Sequence, residues 1–390
     1  MNIIKYCRQA FPMKLSTLVK RDPNVWIFGA WFGEKYSDNS KALYEYSLKS
    51  YPNKKIFWLT RNIKIYNALK KKGFPVLMIR SFKGIYYQLK AKVVFYCTGV
   101  CDVTDRLLGH AIHINLWHGV GGGKKIGFDA HWYDDQYEKF LFNLYKKYFP
   151  KSYMICTSEE MKRIFLNAFH ISEKRCIMAG QPRNDIFFVQ NYKIKTFDIK
   201  VLKGKKVITY LPTHRMEGRR KIKCNKLFDL SRMNDFCQKN NCIFIIKKHY
   251  YHKEELENLE QYKNIIDFTR LQQIDTNELL LKSDYVISDY SSVTADFLLL
   301  NRPLFYYCYD LEEYLAEDRD LYWPYDEITP GPKCRSFDEL FLSLQCVIEG
   351  NEDKYLKDRQ RVLDLFYGLH ARKQVCQDIL DVVENIVSNK

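Results

Sequence analysis

The sequence has no apolar run long enough to span a membrane, because none approaches the roughly 18 uninterrupted apolar residues that a spanning helix needs. Residues 1–21 show neither a long apolar segment nor a small-residue cleavage site, so we expect no signal peptide. The 12 cysteines include no C-x-x-C pair, which argues against both a zinc cluster and a disulfide framework. These absences favour free thiols in a reducing cytoplasm.

Acidic side chains are fewer than basic ones. Lys and Arg total 62 against 46 for Asp and Glu, which gives a formal net charge of +16. The excess suggests a nucleic acid, a phosphorylated substrate or an anionic membrane as partner, without choosing among them. Hydrophobic residues make up 46% of the 390 residues, so wholesale disorder is excluded and two to three domains are expected.

Short apolar segments alternate with helical ones, which predicts parallel sheets covered on both faces. We predict strands at residues 25–28, 55–59, 75–79, 93–97, 112–116, 153–156 and 176–179, and again at 207–211, 243–247, 285–288 and 304–308. A Lys-rich stretch, 190–206, separates the two series. We therefore expect two doubly wound α/β domains facing a cleft, 1–189 and 190–390, with helices at the end of the second.

Four polar motifs follow predicted strands, where ligands bind in such folds. The first, LWHGVGGGKK at 116–125, places His118 beside a glycine-rich, basic loop that lacks P-loop spacing. A histidine on such a loop can be a general base or a structural residue. The others are YLPTHR at 210–215, IIKKH at 245–249 and SDYSSV at 288–293. Each suits phosphate binding, and each is also consistent with a polar turn, a surface charge run or an ordinary helix cap.

Two further segments are ambiguous. Asp318-Arg319-Asp320 has the form of a D-x-D metal motif, but it lies in an acidic stretch rather than after a strand. A solvated acidic face is favoured, and we expect no obligatory metal. Basic and aromatic residues interleave at 139–151, which fits either an anionic membrane surface or a solvated helix.

Taken in order, the motifs resemble the CDP-glycerol glycerophosphotransferase family, the teichoic-acid and capsule polyol-phosphate transferases, over most of the chain. The blocks that carry the resemblance are GEKYSDNSKALY at 33–44, WHG at 117–119, KKIGFD at 124–129, GQPRND at 180–185, PTHR at 212–215, KKH at 247–249, SDYSS at 288–292, YDLEEY at 309–314 and PGP at 330–332.

The resemblance implies a GT-B-type fold of two Rossmann-like domains, the first binding the acceptor and facing the membrane, the second binding the donor. It implies transfer of glycerol phosphate or ribitol phosphate from a CDP-polyol to a hydroxyl of a lipid-linked or polymeric acceptor, with release of CMP, in teichoic-acid or capsule synthesis. It places a peripheral protein on the inner face of the bacterial membrane. The CDP-polyol is a substrate, and no obligatory cofactor is expected.

Residue roles follow from the same resemblance. His118 falls on the catalytic base. The positions implied to bind the donor substrate are Thr213, Arg215, Lys247, His249, Asp289, Ser291, Ser292, Arg319 and Arg372. An acceptor loop is implied at Gly119, Lys124, Lys125 and Asp129.

Elementary chemistry agrees, since phosphoryl-type transfer needs a base near the acceptor hydroxyl and fixed donors around the developing charge. The fold alone does not separate this reaction from that of a nucleotide-sugar-dependent GT-B glycosyltransferase, which is the alternative hypothesis. A nucleic-acid-binding protein is a third, motivated by charge alone, and we expect no nucleic-acid partner because no such module is recognisable.

Overall fold

The computed structural model describes residues 11–120, 123–130, 152–215, 222, 224–248, 256, 259–271, 274–317, 320–350, 353–369 and 374–389. None of the helices within these ranges is long and apolar enough to cross a membrane. The chain divides into two compact units, one of 1–118, 126–185 and 367–390, the other of 119–125 and 186–366.

The first unit is built on a seven-stranded parallel sheet in the order β3-β2-β1-β4-β5-β6-β7. Its strands are β1 Asp22–Phe28, β2 Lys55–Thr60, β3 Val76–Met78, β4 Ala91–Tyr96, β5 Ile112–Asn115, β6 Tyr153–Cys156 and β7 Cys176–Met178. Its helices are α1 Asp38–Ser50, α2 Ile63–Lys71, α3 Phe82–Lys90 and α4 Glu159–Ala168, with short 3-10 turns that include Trp31–Gly33, Val100–Asp102 and Gly127–Asp129. The central strands are almost wholly buried because helices cover both faces of the sheet.

The second unit has a six-stranded parallel sheet in the order β10-β9-β8-β11-β12-β13. Its strands are β8 Lys206–Tyr210, β9 Cys242–Ile246, β10 Ile265–Asp267, β11 Tyr285–Ser288, β12 Leu304–Tyr307 and β13 Lys333–Cys334. Its helices are α5 Cys224–Leu227, α6 Leu230–Lys239, α7 Thr276–Lys282, α8 Val293–Leu298, α9 Leu311–Glu317, α10 Tyr325–Ile328, α11 Phe337–Ile348 and α12 Leu356–Tyr367.

Both sheets begin with the strand order 3-2-1-4-5-6 of the Rossmann fold. The direction of winding reverses between β1 and β4 in the first sheet and between β8 and β11 in the second. Ligands of doubly wound folds bind outside the carboxyl ends of the strands at that reversal. The predicted pair of Rossmann-like domains is therefore confirmed.

The end of the chain departs from the expected division at residue 189. The chain leaves the first unit after Asp185 and returns to it at 367, so the last helix, α13 Val375–Ser388, belongs to the first unit rather than to the second. The carboxylate of Asp185 accepts hydrogen bonds from the backbone N–H groups of Val375 and Cys376, each at 3.0 Å. Ile379 of the same helix lies in one core cluster with residues of β1 and β2. The assignment of these C-terminal residues to the second domain was wrong, because their apolar face completes the core of the first.

Candidate active site

His118 lies just beyond β5, close to the end of β4. Its Nδ1 is 3.0 Å from the backbone carbonyl oxygen of Cys97. A carbonyl oxygen only accepts hydrogen bonds, so Nδ1 carries the proton and Nε2 holds the free lone pair of the neutral ring. The rings of Trp117 and Trp31 pack against the imidazole, with centroids 4.4 and 5.5 Å away. The imidazole is thus held in one tautomer and one orientation.

The surroundings keep His118 neutral. Burial lowers its pKa below the ordinary value of 6.5, and the charge of Arg183 lowers it further. The carboxylates of Asp38 and Asp102 and the hydrogen bond to Cys97 act in the opposite direction without overcoming the burial. A neutral imidazole near pH 7 can accept a proton, which is the property required of a general base.

A polar network surrounds this histidine and joins three of the sequence blocks. Arg183 donates from Nη1 to the carbonyl oxygen of His118 at 2.8 Å and to Asp38 Oδ1 at 2.5 Å. Asn39 donates to the carbonyl oxygen of Trp117 at 2.9 Å and accepts from the backbone N–H of Arg183 at 3.1 Å. Asp38 also accepts from the Trp31 indole N–H at 3.1 Å.

The predicted acceptor loop is divided between the units. Gly119 to Lys125 belong to the second unit, while Asp129 lies on the Gly127–Asp129 turn of the first. Lys124 forms an antiparallel bridge with Leu321, and Lys125 Nζ lies 3.3 Å from Asp320 Oδ2. Asp320, the last residue of the D-x-D motif, is therefore an ion-pair partner of a loop lysine.

The second unit brings Thr213 and Asp289 together where β8 and β11 end, at the reversal of strand order. Asp289 Oδ1 accepts from the backbone N–H of Thr213 at 2.8 Å. The Thr213 hydroxyl is buried and has no hydrogen-bond partner among the described residues. A buried hydroxyl without a partner costs free energy unless a ligand supplies one, so its place at this edge marks a candidate binding position.

Arg215 is nearly inaccessible, with 2% of its surface exposed. Its Nε and Nη2 donate to the Asp310 carboxylate at 2.7 and 3.0 Å, and Nη2 also donates to Asp289 at 2.9 Å. Nη1 donates to the carbonyl oxygen of Thr213 at 2.8 Å. Burial alone would lower the pKa of this guanidinium, but the two carboxylates outweigh burial and raise it. The structure thus places this predicted phosphate ligand inside an ion-pair cluster.

Ser291 and Ser292 lie in the turn between β11 and α8, and both are partly buried. Ser291 Oγ accepts from the backbone N–H of Val293 at 3.4 Å, a long contact that leaves the hydroxyl able to donate. Ser292 Oγ lies 3.0 Å from where a Cβ on Gly119 would be. The Gly119 loop therefore packs against this turn so closely that a larger residue would displace the serine.

The remaining predicted ligands are less informative. Lys247 follows β9, and burial lowers its pKa, opposed by the charge of Asp275. His249, Arg319 and Arg372 lie outside the described residues. Within the described ranges, no group of three or more His, Cys, Asp or Glu side chains is arranged to hold a metal ion.

Sequence reasoning did not single out Asp38, Asn39, Arg183 or Asp310 as site residues, although all four stand in the blocks quoted for the resemblance. The available signal was their position: charged or amide side chains in blocks that border predicted strands. Such side chains tend to be paired when a doubly wound fold buries the strand ends.

The two Rossmann-like sheets, each with polar groups at the reversal of strand order, define a GT-B-like α/β protein. Residues 10–385 match the profile of the family described as CDP-Glycerol:Poly(glycerophosphate) glycerophosphotransferase. The chain belongs to this family, and the resemblance seen in the sequence is confirmed.

Individual relatives give the same family and fold. The chain is 27% identical over 383 residues to the teichoic acid glycerol-phosphate transferase of Staphylococcus aureus (strain NCTC 8325 / PS 47), covering 91% of this chain and 92% of that protein. It is 32% identical over 247 residues to the teichoic acid ribitol-phosphate polymerase TarL of the same strain, covering 62% and 42%. The solved structure of the wall teichoic acid polymerase TagF is similar with a TM-score of 0.74 at 24% identity, covering 99% and 95%. The chain spans less than half the length of several polymerases that it matches.

Proposed function

We propose that this protein transfers glycerol phosphate or ribitol phosphate from a CDP-polyol to a hydroxyl of a teichoic-acid or capsule acceptor and releases CMP. Family membership supports the reaction class. The observation that carries the chemistry is the His118 imidazole, whose Nδ1 is committed to the Cys97 carbonyl and whose Nε2 is left as a proton acceptor.

In the proposed reaction, Nε2 of His118 takes the proton of the acceptor hydroxyl. The hydroxyl oxygen forms a bond to the phosphorus that carries the polyol, and the bond from that phosphorus to the bridging oxygen breaks. The electron pair of the broken bond leaves with CMP. Atoms and charge balance without an oxidant or a reductant. The protein contributes position and electrostatic stabilisation, which dominate phosphoryl-type transfer.

On the donor side, the hydroxyls of Thr213, Ser291 and Ser292 would donate to phosphate oxygens. Arg215 would add a fixed positive charge close by and hold the Thr213 carbonyl in place. Because the arginine is paired with Asp289 and Asp310, its main contribution would be to the geometry of the strand ends. Lys247, and His249, Arg319 and Arg372 outside the described residues, stay predicted donor ligands.

The test is CMP release from purified protein given CDP-glycerol or CDP-ribitol with a polyol-phosphate acceptor. Loss of a general base typically costs about 10²- to 10⁴-fold, so His118→Ala should lower turnover by that range. His110→Ala, at an exposed position just before β5, is the matched control and should keep full turnover. Absence of CMP from both donors, with UDP or GDP released from a nucleotide sugar instead, would replace this proposal by the glycosyltransferase alternative.

We propose further that the protein binds an anionic membrane surface and reaches its acceptor there. The predicted basic segment 139–151 lies outside the described residues, but helix α3 presents Phe82, 95% exposed, together with exposed Tyr86 and Lys83. Leu18, 81% exposed, belongs to a neighbouring segment, because Arg21 binds the carbonyl oxygens of both Ser16 and Gln88. Exposed aromatic and aliphatic side chains beside lysines suit an anionic bilayer interface.

Cosedimentation with vesicles tests this surface. The protein should bind vesicles of anionic phospholipid at low salt more than zwitterionic ones, and Phe82→Ser with Tyr86→Ser should weaken binding. Leu342→Ser removes an exposed leucine of the second unit and should not. Equal binding by all three proteins would place the membrane contact elsewhere or remove it.

A further inference from the structure

The geometry points to Asp38, Asn39 and Arg183 as positioning residues that hold the His118 imidazole in its proton-accepting orientation. This inference rests on the proposed function and deepens it, because it names residues to which the sequence resemblance assigned no role. It is carried by backbone conformation, hydrogen bonds and the distribution of charge within the first unit.

The backbone before His118 is held in an unfavourable conformation. Trp117 has φ +55°, in the left-handed region that is unfavourable for a non-glycine residue. Trp31 and Asp38 are also left-handed, at φ +47° and +69°. Such conformations persist only where the surrounding structure fixes them, and they concentrate at functional sites. Bulky residues in this region are uncommon, so their grouping around one histidine calls for contacts that impose it.

Those contacts come from both sides of the strained peptide. Asn115 Oδ1 accepts from the Trp117 N–H at 2.9 Å, and Asn39 donates to the Trp117 carbonyl oxygen. Arg183 holds the next carbonyl oxygen, that of His118. The backbone N–H of Arg183 is in turn bound by Asn39, so the arginine and the asparagine fix each other. Removal of either would free the Trp117–His118 peptide to relax towards a favourable conformation.

The Trp31 ring is positioned by the same group. Asp38 accepts the indole N–H of Trp31 with one oxygen and the Arg183 guanidinium with the other. The side chains of Arg183 and Asp38 are 12% and 8% exposed, so their ion pair is poorly screened by solvent. Asp38 therefore connects the indole that packs against the imidazole with the arginine that binds the His118 carbonyl oxygen.

One cation and two carboxylates act on the imidazole in opposite directions. Arg183 opposes its protonation, whereas Asp38 and Asp102 favour it. Asp102 accepts from the backbone N–H groups of Phe32, Cys97 and Thr98, and so also fixes the carbonyl that orients Nδ1. Because Arg183 and Asp38 carry opposite charges, their removal should move the pKa of His118 in opposite directions, which a purely structural role would not do.

The experiment follows the His118 ring by NMR in protein labelled at the histidine Cε1 carbon, with the signal assigned by its loss in His118→Ala. In the native chain the pKa should lie below 6.5. Arg183→Ala should raise it, because a positive charge is removed. Asp38→Asn, which keeps the shape of the side chain, should lower it. Arg183→Lys keeps the charge and should leave the pKa near the native value.

Turnover supplies the second readout. A misplacement of about 1 Å can cost about 100-fold, so Arg183→Ala should lower kcat by about 10- to 100-fold with little change in KM, and Arg183→Lys should recover part of the loss. Arg21→Ala, which removes an arginine that binds backbone carbonyls elsewhere in the first unit, is the matched control for destabilisation. It should lower Tm without moving the His118 signal.

The inference is overturned if Arg183→Ala and Asp38→Asn leave the pKa of His118 unchanged or shift it in the same direction. It is also overturned if Arg21→Ala moves the signal equally. Failure of the proposed function looks different: the native protein would release no CMP from either donor, while the NMR titrations would still show whether the network sets the state of His118.

Discussion

Replacing Arg215 by methionine tests whether its guanidinium serves the fold or is free for a ligand. The substitution would leave the carboxylates of Asp289 and Asp310 buried without their counter-charge. Breaking a buried ion pair by removing one partner costs about 3–5 kcal/mol. A domain of this size loses about 2–4 °C of Tm for each kcal/mol, so the second unit should melt about 6–20 °C lower.

Calorimetry of the full chain measures this effect, and two further variants make it specific. Arg232→Met removes an exposed partner of Asp338 and should cost at most about 1 kcal/mol. Adding Asp289→Asn and Asp310→Asn to Arg215→Met removes the uncompensated charge and should restore part of the lost stability. Equal melting of Arg215→Met and Arg232→Met would refute the reasoning and would return Arg215 to the role of a direct phosphate ligand.

Three other outcomes follow from single contacts. Gly119→Ala should lower kcat by about tenfold while Tm stays unchanged, because its Cβ would lie 3.0 Å from Ser292 Oγ; native turnover would show that this serine is not needed in place. Thr213→Val removes a hydroxyl that has no hydrogen-bond partner among the described residues, so stability should change by less than about 1 kcal/mol while KM for the CDP-polyol rises about tenfold, and an unchanged KM would count against phosphate binding there. Burial lowers the pKa of His113 to about 4 from 6.5, so the unfolded chain binds a proton that the folded chain does not. The free energy of unfolding should therefore fall by about 3 kcal/mol as pH drops from 6.5 to 4. His113→Gln should remove this part of the pH dependence, as measured by urea unfolding at several pH values across that window.

Most of the fold could be predicted from the sequence because buried parallel strands appear as short apolar segments. The apolar segments predicted in the first half all became strands of one sheet. Strands β10 and β13, of three and two residues, were not predicted. The pairing order is set by crossovers between distant segments, and local patterns do not encode it.

For the site, the sequence predicted the positions of the motifs but not the contacts between them. The rule that polar groups follow strands located His118, Thr213 and the serines, because it depends on local order alone. The partners of Arg215 were not found, since Asp310 is 95 residues away in the chain and reaches the arginine only after β12 takes its place in the sheet. Likewise, nothing local in the GQPRND block shows that Arg183 meets Asp38 and His118.

The chain passes between its two units at 118/119, 125/126, 185/186 and 366/367. No single cut separates them, so a fragment beginning at residue 190 would lack Lys124, the bridge partner of Leu321. It would also carry α13, whose buried Ile379 and Leu380 would then have no core to cover. Halves expressed separately should therefore be insoluble. When the two halves are expressed together, one supplies Lys124 to the second unit and the other supplies α13 to the core of the first.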